Sequence, residues 1–193
     1  MKITFQQYLQ EYTQLSDAVI ESICSLAKVR RLRRNESLLA VGEVSRYKIF
    51  VISGLLKVYT VSAEGNETIF HFLQEETWTS LDVESYEKQS PSSFYIKAVE
   101  PAEILLWNKL DFDHLLTEYA ALKNYADQLG LRKVYLNQQR LMSALTGSTE
   151  EKYEHFKHDH SELLARIPLH MIAAYLGVSV KTITRIRHAQ LTR

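Results

Sequence analysis

The side chains with the clearest chemical character lie at the C-terminal end of the chain. The segment from Leu163 to Arg193 carries five Lys or Arg residues and no Asp or Glu. The rest of the 193-residue chain carries 18 basic and 23 acidic side chains, so a net charge of zero conceals a positive tail on a mildly negative body. Such a tail suits a polyanionic partner. On charge alone, a solvated charged face explains the tail equally well.

The residue spacing within this tail predicts a helix-turn-helix. Pro168 suits the first turn of a helix, and Gly177 can adopt the left-handed conformation that ends one. Ser179 is a typical N-cap for a second helix, whose Ile183 and Ile186 would face the first. The alternative is a helical hairpin inside a purely α-helical domain, which leaves the basic, acid-free face unexplained.

The outward side of the second helix carries the residues that could read DNA. In a helix-turn-helix, this helix enters the major groove with its N-terminal residues at the base edges. Arg185 is the first candidate for a base contact, because an arginine can form two hydrogen bonds with guanine. Ser179 and Thr182 are placed to bind phosphate at the helix N-terminus. The predicted DNA-binding residues are Ser179, Val180, Lys181, Thr182, Thr184, Arg185, Arg187 and His188.

The first half of the chain predicts two short helices followed by an antiparallel β-roll. Segments rich in β-branched and aromatic residues alternate with turn residues, and their close spacing favours a roll or barrel. The stretch 75–93 is polar and irregular, and a long insertion of this kind often holds a ligand. The helices are predicted at 5–11 and 16–28, and the strands at 38–41, 48–52, 55–61, 67–73, 94–99 and 102–107.

A long helix is predicted from Asn108 or Asp111 to about Leu145. Four leucines at seven-residue intervals predict a homodimer seam, although the same stripe could cover the β-roll of its own chain, and both can hold for different parts. Gly130 weakens the helix by roughly 1 kcal/mol and allows a bend. The predicted seam residues are Leu115, Leu122, Leu129 and Leu136.

The sequence Thr146-Gly147-Ser148 interrupts this helix, and Ser148 with Glu151 has the spacing of a capping box. We therefore expect an α+β protein with three parts. A sensor roll with N-terminal helices occupies 1–108, the long helix occupies 109–147, and the helix-turn-helix domain occupies 148–193.

These features together resemble the CRP/FNR family of bacterial regulators over nearly the whole chain. Residues 46–59 are similar to the paired roll strands of that family, with their Ser-Gly turn, and Ala173 to Arg185 is similar to its recognition motif. The resemblance implies an N-terminal β-roll (a jelly roll, or double-stranded β-helix), a dimerisation helix and a C-terminal helix-turn-helix. It also implies a dimeric transcriptional regulator, switched by an effector in the roll, that reads half-sites about one turn (roughly 34 Å) apart.

The chain departs from the family at the effector site. Members that bind cyclic AMP carry Gly-Glu and, about ten residues later, Arg-Ser or Arg-Thr. The matching positions here are Leu81-Asp82 and Ser92-Ser93, so the phosphate-binding arginine is absent. The resemblance therefore predicts a small effector other than cyclic AMP, with these four residues as the candidate pocket. Cys24 is the one cysteine, which argues against an iron–sulfur cluster.

The DNA-binding end departs as well. Val180 and Lys181 occupy positions where many family members place Arg and Glu, so a contact to cytosine is lost and the operator should differ. Residues 158–166 look helical where the family usually has a β-wing. We therefore expect a reduced or missing wing.

Other functions find less support in the sequence. No run is long enough for a membrane span and no signal-peptide pattern is present, which predicts a cytoplasmic protein with no membrane partner. We expect no catalytic site, because a cupin-like enzyme would need clustered histidines in the roll. We expect no metal site at His155, His158 and His160, which lack a fourth ligand.

A basic run near the start of the roll is interpreted as a solvated strand edge rather than a nucleic-acid contact. The remaining alternative is a ligand-independent regulator with a vestigial roll. The expected partners are double-stranded DNA, a second copy of the chain and a small effector, with RNA polymerase as a further candidate. The basic run is Arg30, Arg31, Arg33 and Arg34.

Overall fold

The computed structural model describes residues 4–80 and 82–191, which fall into two compact units. The first comprises the described residues up to Tyr59 together with Phe72–Gly130. The second comprises Thr60–His71 and the described residues from Leu131 onward.

An antiparallel β-roll with helices around it forms the N-terminal part, as predicted. Two four-stranded sheets have the strand orders β1-β8-β3-β6 and β2-β7-β4-β5. The early helices are α1 (Phe5–Tyr12) and α2 (Asp17–Ser25), and α3 (Val83–Lys88) lies between β6 and β7. The strands are β1 (Lys28–Leu32), β2 (Ser37–Leu39), β3 (Tyr47–Ser53), β4 (Leu56–Val61), β5 (Glu67–Leu73), β6 (Trp78–Thr79), β7 (Tyr95–Ala98) and β8 (Ala102–Asn108).

The core of the first unit follows from the two-residue period of its strands. Ile49 and Val51 of β3 point into the roll, where they pack with Ile104 of β8. Phe50 and Trp107 point to the opposite side of the same sheet, where they pack against the surrounding helices. One sheet thus separates two apolar clusters.

Two local features fix this arrangement. The indole N–H of Trp107 donates a hydrogen bond to the carbonyl of Ile23 in α2, at 2.7 Å. Gly54, at the turn between β3 and β4, has a φ of +90°. A β-carbon there would lie 2.3 Å from the carbonyl oxygen of Pro101. Only glycine allows both this conformation and this approach.

The structure of the first unit differs from the sequence-based prediction at three places. Helix α2 ends at Ser25 rather than Lys28, because Lys28–Leu32 pairs with β8. The stretch 75–93, predicted to be irregular, contains β6 and α3. The long helix is broken at Tyr119, which has a φ of −114° and a ψ of 95°.

Helix α4 (Lys109–Glu118) therefore ends before α5 (Ala120–Thr146) begins. The hydroxyl of Tyr119 lies 3.2 Å from the Ser22 hydroxyl of α2, so the side chain is held against α2 where the backbone leaves the helical conformation. Helix α5 continues through Gly130.

The second unit contains the tip of the β4–β5 hairpin and the C-terminal helices. Ser148 caps α6 (Thr149–Asp159): its hydroxyl accepts from the Glu151 N–H at 3.2 Å, and the Glu151 carboxylate accepts from the Ser148 N–H at 2.7 Å. The capping box predicted at this position is therefore present. A 3₁₀ helix (Ser161–Ala165) follows, then α7 (Leu169–Leu176) and α8 (Val180–Leu191).

The described residues after Asn108 contain no β-strand. Residues 158–166, predicted to be helical where the resembled family usually has a β-wing, comprise the end of α6 and the 3₁₀ helix. Among the described helices, none combines the length and the apolar character needed to cross a bilayer. The same residues hold no group of three or more His, Cys, Asp or Glu side chains placed to bind a metal ion.

Candidate functional site

Helices α7 and α8 form the predicted helix-turn-helix. Gly177 ends α7 with a φ of +68°, and the Val178 N–H bonds to the Ala173 carbonyl at 3.0 Å. Pro168 stands at the N-cap of α7, one position before the helix begins. Ile172 and Ala173 of α7 and Ile183 and Ile186 of α8 are all buried. These apolar contacts fix α8 against α7.

The N-terminus of α8 is closed by two hydroxyl side chains. The Ser179 hydroxyl oxygen accepts a hydrogen bond from the Thr182 N–H at 3.1 Å and lies 2.8 Å from the Thr182 hydroxyl. Because one hydroxyl proton is used between these two groups, the other can still reach a phosphate oxygen. Thr184 donates its hydroxyl to the Val180 carbonyl at 2.9 Å.

The side of α8 opposite its buried isoleucines is open to solvent. Its side chains span an arc of the helix within which the described residues include no acidic group. We name this set the recognition face. Its members are Val180, Lys181, Thr184, Arg185 and His188, all exposed. Arg187 is exposed as well but lies at the edge of this face, about 40° around the helix from Ile183.

Arg185 has a partner that the sequence did not indicate. One of its guanidinium nitrogens lies 3.5 Å from a carboxylate oxygen of Glu150, in the first turn of α6. Both side chains are largely exposed, at 74% and 55%. An exposed pair of this kind contributes only about 0–1 kcal/mol, so a guanine could displace the carboxylate.

Arg140 of α5 is hydrogen-bonded to backbone carbonyls of both α7 and β5. Its guanidinium donates to the carbonyls of Ile69 and Tyr175, both at 3.2 Å, and to the carbonyl of Phe70. It also lies 3.9 Å from the centre of the Tyr175 ring. Burial lowers the pKa of Arg140. The sequence analysis did not identify this role of Arg140, because its carbonyl partners are distant in the chain and leave no pattern around it.

The three histidines considered for a metal site contact three different groups. The imidazole of His155 lies 3.3 Å from the Ser143 hydroxyl, and that of His160 lies 3.3 Å from the Tyr175 hydroxyl. His158 bonds to the neighbouring Asp159 at 2.9 Å. Each ring therefore has a local partner of its own.

The predicted effector residues lie together but bond to one another. Asp82 is 7% exposed. One carboxylate oxygen accepts from the Ser85 N–H at 3.0 Å, which caps α3. The other accepts from the Ser92 hydroxyl at 2.8 Å and the Ser93 N–H at 3.3 Å. Leu81 lies outside the described residues. We name residues 82–93 the effector segment.

Three of the four leucines predicted at the dimer seam pack in the hydrophobic core of their own chain. Leu115 and Leu122 are 2% and 1% exposed and belong to the core of the first unit. Leu129 packs against the same cluster, so the stripe covers its own roll, which was the alternative reading of the pattern. Leu136 is 55% exposed.

The exposed apolar residues of α5 lie elsewhere on the helix. A residue two positions along a helix is turned by about 200°, so Leu131 faces away from the side that Leu129 occupies. Four exposed aliphatic residues that begin at Leu131 are separated by three, seven and four positions, as a and d positions of a heptad are. We name as the apolar seam Leu131, Val134, Leu141 and Leu145, all exposed.

Comparison with known proteins agrees with this architecture. Residues 29–119 match the cyclic nucleotide-binding domain family. FixK2 from Bradyrhizobium japonicum is similar in structure, with a TM-score of 0.74, 16% identity, and coverage of 86% of this chain and 85% of that one. No curated protein sequence matches the chain significantly.

Two further structures are described as regulators. The c-di-GMP responsive global regulator CLP from Xanthomonas campestris gives a TM-score of 0.74 at 14% identity, covering 92% of each chain. A transcriptional regulator of the CRP/FNR family from Eubacterium rectale gives 0.71 at 18% identity, covering 95% of this chain and 87% of that one.

The fold is therefore a cyclic nucleotide-binding type of β-roll joined to a C-terminal helix-turn-helix. This is also the fold of the CRP/FNR-family regulator from Eubacterium rectale, so the fold expected from the resemblance is present.

Proposed function

We propose that this protein is a dimeric, sequence-specific DNA-binding regulator controlled by a small effector other than cyclic AMP. The observation that carries the proposal is the recognition face of α8. It combines a helix N-terminus whose two capping hydroxyls retain one free proton, three exposed basic or imidazole groups including Arg185, and an apolar attachment to α7. A helix with this attachment and this charge fits the major groove.

We expect Arg185 and Lys181 to make different contacts with DNA. Arg185 projects from the solvent side and can form two hydrogen bonds with guanine. Lys181, in the first turn of α8, can bind a phosphate or a base edge. Residues 161–165 form a 3₁₀ helix rather than a strand that could contact phosphate, so we expect the affinity to depend more on α8 itself.

The apolar seam supports the dimer. Four exposed aliphatic side chains on one heptad pattern are costly in water, and burying each stabilises the buried state by about 1.5–3 kcal/mol. A parallel helix of a second copy presents the same seam and covers it. Leu141→Lys should produce a monomer by sedimentation. The matched control is Leu110→Lys, which changes a leucine of α4 that is also exposed but lies outside the seam.

The effector part of the proposal has one competitor. The inward hydrogen bonds of Asp82 also suit a regulator whose roll senses nothing, because no polar oxygen of that carboxylate is left open. A ligand at a hundred times its dissociation constant adds about 2.7 kcal/mol to the free energy of unfolding. The absence of any thermal shift across nucleotides and organic acids would favour the ligand-independent regulator.

The test of DNA reading is selection of binding sites from random duplex DNA by the full chain. We expect an inverted repeat with half-sites about one turn (roughly 34 Å) apart, and binding that weakens steeply with salt. If the selection recovers only a single half-site, sequence-specific DNA binding is supported and the dimer is contradicted. Failure to enrich any sequence would overturn the proposal.

A further inference from the structure

The β-roll contains a cavity that does not involve the predicted effector residues. It has a volume of about 470 Å³ and lies within the first unit, at β2, the β2–β3 loop and the start of β3. A volume of roughly 300–1,000 Å³ is usual for small-ligand sites. Asp82, Ser92 and Ser93 do not line it. We name it the β2–β3 cavity.

The inner wall of the β2–β3 cavity is apolar. Leu39, Ile49 and Leu106 line it, and all three belong to the buried core between the sheets. These side chains are held by the strands β2, β3 and β8, so the wall is preformed. A hydrocarbon group placed against them would be removed from water without rearrangement of the strands.

Two arginines line the same cavity. Arg30 is compensated by Glu36, whose carboxylate lies 3.3 Å from its guanidinium. Arg46 is exposed, and within the described part of the chain its guanidinium has no hydrogen bond or ion pair. Glu43 is an acidic member of the same lining, and its carboxylate accepts from a neutral backbone donor, the Ala40 N–H, at 2.7 Å. The cavity therefore offers an apolar wall and one unpaired cation.

This combination selects a chemical class of ligand. A guanidinium binds a carboxylate through two parallel hydrogen bonds, and the interaction strengthens beside an apolar surface. A neutral apolar molecule would leave Arg46 unused, and a small inorganic anion would leave the wall uncovered. A molecule with one carboxylate and a compact apolar body satisfies both.

The loop around the cavity is hydrogen-bonded to the effector segment. The Gly42 N–H donates to the Ser92 carbonyl at 2.9 Å, and the Ser92 N–H donates to the Glu43 carbonyl at 2.8 Å. The Ser45 N–H donates to the Ser85 hydroxyl at 2.9 Å. A ligand that moves the β2–β3 loop therefore also moves the segment that Asp82 closes.

We propose that the β2–β3 cavity binds a small organic acid, with its carboxylate on Arg46 and its apolar body on Leu39, Ile49 and Leu106. Occupancy is transmitted to the effector segment through Ser92 and Ser85. The binding step stands by itself; only its effect on DNA affinity rests on the proposed function.

The test titrates the full chain with octanoate and phenylacetate by calorimetry. Octanamide and phenylacetamide serve as neutral twins, and acetate as a carboxylate without an apolar body. At least one acid should bind more tightly than its amide and than acetate. Arg46→Gln should weaken that binding about tenfold or more, since it removes a charge-assisted pair. The matched control Arg34→Gln changes an exposed arginine outside the cavity and should leave binding unchanged.

Three results would overturn the inference: no binding of either acid at millimolar concentration, equal binding by Arg46→Gln, or binding lost in Ser93→Ala but kept in Arg46→Gln. DNA binding is measured separately on ligand-free Arg46→Gln and should equal that of the parent chain. A chain that binds the acid without binding DNA would contradict the proposed function and leave this inference standing.

Discussion

The recognition face of α8 and the effector segment both carry residues that a family pattern marks as ligand contacts, yet they use their polar groups in opposite ways. On α8, Lys181 and Arg187 project into solvent, and Arg185 has only an exposed ion pair. In the effector segment, both oxygens of the buried Asp82 accept hydrogen bonds from its own chain.

The difference lies in what a ligand would have to replace. A phosphate or base that binds the recognition face replaces water and one weak ion pair. A ligand at Asp82 would have to break charge-assisted hydrogen bonds, each contributing about 1.5–3 kcal/mol. A matched motif position is therefore a good indicator of binding only where its side chain remains unpaired.

The largest effect is expected at Arg140, which donates to a backbone carbonyl of α7, the helix against which α8 packs. Arg140→Met leaves three carbonyl oxygens without their donor and should lower the free energy of unfolding by about 3 kcal/mol. Urea unfolding measures the change. Arg132→Met, an exposed neighbour on α5, is the control and should be nearly neutral. Equal losses in the two variants would show that Arg140 is no anchor.

Replacing Asp82 tests whether the hydrogen bonds of the effector segment are structural. Asp82→Ala removes the cap of α3 and the partner of Ser92, so the free energy of unfolding should fall by about 2 kcal/mol. The DNA affinity of the folded protein should not change. Glu11→Ala, which removes an exposed carboxylate from α1, is the control. If the Asp82 variant is as stable as its parent, the inward hydrogen bonds are not structural.

Replacing Arg185 should lower the DNA affinity and leave the stability unchanged, the reverse of the result expected for Asp82→Ala. Arg185→Ala should weaken binding to the selected DNA site about tenfold, because a guanine contact is lost, and should leave thermal unfolding unchanged. Arg34→Ala removes an equally charged side chain far from α8 in the sequence and should not affect binding. Fluorescence anisotropy at fixed salt measures both. An unchanged affinity for Arg185→Ala would contradict the assignment.

The features that the sequence predicted are those set by near neighbours in the chain. Gly177 and Ser179 define the turn of the helix-turn-helix, and the capping box at Ser148 spans only four residues. The alternation of Ile49 and Phe50 between two apolar clusters likewise follows from the pleat of one strand. Each depends on local backbone geometry and on side chains within a few residues of one another.

The features that the sequence did not reveal depend on distant partners. Arg140 bonds to carbonyls 70 and 35 residues away. The leucine heptads were visible, but not that Leu122 would be buried by its own roll. Periodicity gives the face of a helix and leaves open what covers it. The pairing of Asp82 with Ser92, ten residues on, was likewise hidden by their interpretation as ligand contacts.

The smallest effect is expected at Glu150, where the recognition face itself is partly paired. Because Glu150 competes with DNA for Arg185, Glu150→Gln should raise DNA affinity about two- to threefold at low salt, within the roughly 0–1 kcal/mol of a surface ion pair. Glu162→Gln removes the same charge from an exposed position on the 3₁₀ helix and serves as the control. An equal gain in both variants would mean that Glu150 acts through its charge on the approaching polyanion. A gain confined to Glu150→Gln, and lost when Arg185 is also replaced by Ala, would show direct competition for the guanidinium.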